Sequence, residues 1–95
     1  MINYIYTIHD KVLKDSGPVL EARNDDVAIR QFKMVMKSSQ NPQDFELYCI
    51  GLYNSIEPAI ESVEKKLIAT GHDMIHLIIK EEKDKKENEN NGTNE

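Results

Sequence analysis

The sequence predicts a small α+β domain: an antiparallel sheet of three to four strands in the order β-β-α-β-β, with one main helix packed on one face. Three observations carry this reading. Ile2, Tyr4, Tyr6 and Ile8 alternate with other residues at the start, as in a strand with one buried face. A run with helical period follows Asn24-Asp25-Asp26. Asp44 to Tyr53 then carries apolar groups on both alternating sets, as a central strand does.

The opening strand is followed by a polar stretch and the breaker Ser16-Gly17-Pro18. Val19 to Ala22 reads as a second short strand antiparallel to the first. Asn24-Asp25-Asp26 supplies side-chain acceptors for the free N–H groups of a helix start, and negative charge for its positive end. At 100° per residue Ala28, Phe32, Val35 and Met36 share a face, with Ile29 at its edge, and that face is expected on the sheet. Ser38 to Gln43 is the exit loop, stopped by Pro42.

In the third strand Phe45, Leu47 and Cys49 point one way, and Glu46, Tyr48, Ile50 and Leu52 the other. Asn54-Ser55 is a tight turn, after which Ile56 to Ile60 pairs back, with Pro58 placing that arm at an edge or bulge. Residues 62–69 are expected as a short helix ending at Gly71, and Met74 to Ile79 as a last strand. From Lys80 to Glu95 there are four Lys and six acidic residues but no apolar side chain. Such a segment cannot offset its ordering entropy by burial, so 1–79 is the expected domain and 80–95 a disordered charged tail.

Charge and composition narrow the function. The tail contributes −2 to the net charge of −5, which leaves −3 on residues 1–79. That sign disfavours binding nucleic acid by bulk electrostatics and requires a local basic patch instead. A lone cysteine, Cys49, allows no internal disulfide and fits a reducing compartment. The first residues lack a signal-peptide pattern and no apolar run reaches the length of a membrane span, so an intracellular protein away from membranes is expected.

No catalytic constellation emerges. His9 with Asp10 lies in a polar loop, Asp25 and Asp26 are explained by capping, and no nucleophile stands in a recognisable elbow. His72 and His76 are four apart, but the segment reads as loop into strand and no third ligand is placed, so no metal and no cofactor are assigned. Two binding surfaces stand out. Arg30, Lys33 and Lys37 fall within about 60° on the helical wheel, with Arg23 just before them; they are either a phosphate-binding stripe or a solvated helix face. Tyr48 and Ile50 lie on the strand face away from Phe45, which suits a dimer interface, while exposed tyrosines also suit base stacking.

The series Ile5-Tyr6-Thr7-Ile8-His9-Asp10, Ser16-Gly17-Pro18, Ala22-Arg23-Asn24-Asp25, Ala28-Ile29-Arg30-Gln31-Phe32, Pro42-Gln43-Asp44-Phe45 and Leu47-Tyr48-Cys49-Ile50-Gly51 resembles one family in order and spacing. It is the small nonstructural protein of gokushovirus-type microviruses, which are single-stranded DNA phages. Gly71-His72-Asp73 sits where that family tends to carry a Gly-x-Asp turn, and the likeness spans roughly residues 1–75. The chain departs from it after Leu52-Tyr53, where an acidic, glycine-containing turn shrinks to Asn54-Ser55.

The resemblance implies a non-enzymatic protein of the infected bacterial cytoplasm, absent from the virion. It would assist viral single-stranded DNA synthesis or packaging through DNA or through replication and packaging proteins, and it transfers no established site residues. The other expectation is a module that engages a host or viral protein without nucleic acid. In either role a homo-oligomer is expected.

Overall fold

The computed structural model describes the backbone of residues 1–93 and the side chains of residues 1–85. Four strands, β1 (Ile2–Asp10), β2 (Asp15–Ala22), β3 (Phe45–Asn54) and β4 (Ala59–Thr70), form one antiparallel sheet in the order β2-β1-β3-β4. Helix α1 (Asp25–Lys37) connects β2 to β3, and α2 (Gly71–Thr93) follows β4. The α+β class and the central place of the third strand agree with the sequence reading.

The capping logic holds at α1. Asn24 is the N-cap, its Oδ1 accepting from the Val27 N–H at 3.0 Å, and Asp25 and Asp26 occupy the first turn. Ala28, Phe32 and Met36 recur every fourth residue and are buried against the sheet. Val35, expected on that face, is half exposed. The flank carrying Ile29 is the one that turns inward, because α2 packs on that side of α1.

The C-terminal third departs most from expectation. Residues 62–69 lie in β4 rather than in a short helix, and Met74 to Ile79 lie in α2 rather than in a last strand. β4 escapes a period-2 pattern because its register with β3 shifts twice, between Leu47 and Tyr48 and between Cys49 and Gly51. The Asn54-Ser55 turn is real: Asn54 Oδ1 accepts from the N–H groups of Ile56 and Glu57 at 3.0 and 3.3 Å. Residues 80–93, expected within the charged tail, continue the backbone of α2; residues 94 and 95, and the side chains of 86–95, lie outside the described residues. Among the described residues, no helix is long and apolar enough to cross a membrane.

Gly71 does not end a helix; it begins α2. A Cβ built there would fall 1.6 Å from the Pro42 carbonyl oxygen, inside the 3₁₀ turn Pro42–Asp44. Only glycine lets the end of β4 pass this turn and place Met74 in the core.

The core joins Tyr6 and Ile8 of β1, Leu47 and Cys49 of β3, Ala69 of β4, and residues of both helices. The Tyr6 ring is fully buried, and its hydroxyl donates to Asp25 Oδ1 at 2.6 Å. Burial first, and this hydrogen bond second, push the Tyr6 phenol far above its ordinary range.

Two stability outcomes follow. Phe32→Ala is expected to cost about 3–5 kcal/mol in denaturant unfolding, since its fully buried ring leaves a cavity. Gly71→Ala is expected to cost about 1–3 kcal/mol, because backbone must shift to admit the methyl; an unchanged midpoint would refute the close approach.

Candidate interaction surface

Both helices lie on one side of the sheet, so the other side is bare. The register defines which residues it shows. Thr7 pairs with Tyr48 and Val19, Tyr48 with Leu67, Ile5 with Gly51, and Tyr53 with Ile60. Cross-strand partners share a face, so Tyr48, Tyr53, Ile5, Val19, Ile60 and Leu67 lie on the uncovered side. The sequence places Leu52 with Tyr48, but the bulge between Ile5 and Tyr6 leaves Ile50 without a partner and reverses the alternation. Leu52 pairs with Tyr4 and so lies on the helix side.

Two shallow recesses mark this face. One, of about 200 Å³, is lined by Thr7, His9, Ser16, Tyr48, Ile50 and Lys65. The other, of about 370 Å³, is lined by Ile5, Val19, Glu21, Tyr53 and Ile60 among others. Tyr48 anchors the first. The Lys65 ammonium sits 5.1 Å from its ring centroid, His9 meets it edge-on at 6.3 Å, and its hydroxyl donates to Glu46 at 3.2 Å. Partial burial, then the bond to Glu46, raises the Tyr48 phenol above its ordinary value. The structure thus brings Tyr48 and Ile50 together. It adds Lys65, which the sequence did not single out because residues 62–69 were expected as a short helix, and it sets Tyr53, one of the strand tyrosines, beside the second recess.

The basic stripe has a different environment. Lys33 and Lys37 both reach Glu81 of α2; Lys33 is hydrogen-bonded to Oε1, and Lys37 lies 3.8 Å from Oε2. Arg23 and Arg30 are exposed. Two of the four candidate cations therefore already face a carboxylate, which the sequence could not show while residue 81 was placed in a tail. The hydrogen bond from Lys33 holds the Glu81 carboxyl below its ordinary value of 4.5.

The polar pairs near the first hairpin serve the fold. His9 Nδ1 lies 3.1 Å from Ser16 Oγ, and Asp10 Oδ1 accepts from the N–H groups of Val12 and Leu13. Asp10 thereby holds a turn in which Lys14 takes a left-handed conformation, with φ of 56°. A groove of about 370 Å³ on the helix side, between this hairpin and Val35, is mainly apolar, with Ile8, Leu13, Pro18, Leu20 and Phe45 in its wall.

The Glu81 contact has a pH signature. A lowered carboxyl pKa gives an interaction that is present above the unfolded value and lost as pH falls through the folded one. Below pH 4.5 the α1–α2 contact is expected to loosen, seen as faster amide exchange along α2. Glu81→Gln is expected to abolish that pH step.

No curated protein and no solved structure matches this chain. A family model does, and it spans the whole sheet, α1 and the entry into α2. The chain belongs to the Phage ORF5 protein family, whose model matches residues 3–74.

Proposed function

We propose that this phage protein is a non-enzymatic accessory factor that assists viral single-stranded DNA synthesis or packaging in the infected cell, and that it binds the single strand on the uncovered face of its sheet. The observation that supports this most is Tyr48 on central strand β3, capped by Lys65 and flanked by His9, on a four-stranded sheet backed by two helices. Single-strand binding needs rings on which bases stack and cations that meet phosphates. Open four-stranded sheets with aromatic residues on central strands meet the first need in RNA-binding modules of unrelated sequence, an analogy of architecture alone. Tyr53 beside the second recess offers another ring. The family and the gokushovirus resemblance supply the viral setting.

This reading moves the working surface from α1 to the sheet. Arg30, Lys33 and Lys37 lie on the helix side, and Glu81 occupies the two lysines. Few cations on the sheet face means few displaced counterions, hence a shallow dependence of affinity on salt.

A second reading has its own support. Val19 and Ile60 are 63% and 72% exposed on the same face, and the chain carries −5. Apolar surface on an acidic protein fits a second copy or a replication or packaging protein.

Fluorescence anisotropy with a short single-stranded oligonucleotide, titrated with salt, tests the proposal. Tyr48→Ala is expected to weaken binding by about 1–3 kcal/mol, and Arg30→Glu to change it little. No binding at low salt, or full affinity in Tyr48→Ala, would sink it. Light-scattering mass separates the second reading: an oligonucleotide-independent dimer that Tyr48→Ala dissociates would favour protein contact.

A further inference from the structure

The lack of a third ligand still weighs against a metal at His72 and His76, but the expected strand placement, in which residues four apart share a face yet stand too far apart to chelate, does not. They lie instead in the first two turns of α2, where i and i+4 side chains stack one above the other. Their Nε2 atoms are 3.3 Å apart, and the rings stand at 81° with centroids 4.8 Å apart. Both side chains are exposed.

That separation has a chemical meaning. Zinc bound by imidazole nitrogen at about 2.0–2.1 Å in tetrahedral geometry holds its ligand atoms about 3.3 Å from one another. The two Nε2 atoms therefore already span one edge of such a tetrahedron. A cation bound through both Nε2 atoms would leave Nδ1 as the protonated position on each ring.

We propose that His72 and His76 form a two-histidine clip for a zinc-class divalent cation. Among the described residues no group of three or more His, Cys, Asp or Glu is placed to hold a metal. The clip thus supplies two donors, and water or a donor from another molecule fills the remaining positions. Because both donors stand on one helix, the cation bridges its first two turns and stabilises α2 where it leaves Gly71.

The test uses the full chain and Zn²⁺ alone, followed by titration calorimetry and by the imidazole nitrogen signals in NMR. Zn²⁺ is expected to shift the Nε2 resonances of His72 and His76 and leave those of His9 in place. His72→Gln and His76→Gln are each expected to lower affinity about tenfold or more, since either one turns a chelate into a single contact, while His9→Gln binds as the parent does. Wild-type affinity in either clip variant, or unmoved His72 and His76 signals at saturating Zn²⁺, would overturn the proposal.

Discussion

The hydroxyl of Tyr6 on Asp25 is the contact on which the other elements depend. β1 lies inside the sheet, and Tyr6 is the point where its ring crosses the core to the first residue of α1. A buried phenol without a partner would cost desolvation energy, whereas an ionised carboxylate at a helix start is already favoured by the dipole. One bond meets both needs and fixes the start of α1 over the centre of the sheet. With that end fixed, the stripe Ala28, Phe32 and Met36 runs along the core. The neighbouring flank, with Ile29 and Lys33, is then presented to α2, which closes the layer through Met74 and Ile78.

This single-sided arrangement sets what each face can do. The helix side commits Phe32, Met36, Leu47 and Met74 to the core and two of its cations to Glu81. The sheet side keeps its own, with Tyr48, Tyr53 and Ile60 left uncovered. Net acidity does not by itself count against the single-strand binding proposed for this face, because stacking on an uncharged ring needs no net positive charge and Lys65 supplies a local one.

Much of the fold was legible because local signals agreed with the tertiary outcome. Asn24 as cap, Phe32 in the helix stripe and Leu47 with Cys49 facing it could be read from spacing alone. The return arm at Ile60 could be read too, but the rest of β4 could not, because two register shifts break its alternation, and Glu64-Lys65-Lys66 has the composition of a helix surface. Six residues from Met74 to Ile79 fit strand or buried helix equally, and only the entry at Gly71 decides. The site suffered from the same gap. The shared face of Tyr48 and Ile50 follows from alternation, but Lys65 beside them required β4, the pairing of Lys33 required Glu81 to be helical, and the closeness of His72 to His76 required both to lie on one helix.

The close passage of Gly71 by the Pro42 carbonyl has a consequence for where the chain can change length. It is a seam: two segments distant in sequence meet with no room for a side chain, and the last fully committed core residue, Met74, follows three positions later. The family match ends at that same residue, 74. Upstream of the seam, a change in length displaces the sheet or α1. Beyond Glu81, added or lost turns of α2 leave both the seam and the core contacts of Met74 and Ile78 untouched, so a change in length there does not reach the sheet.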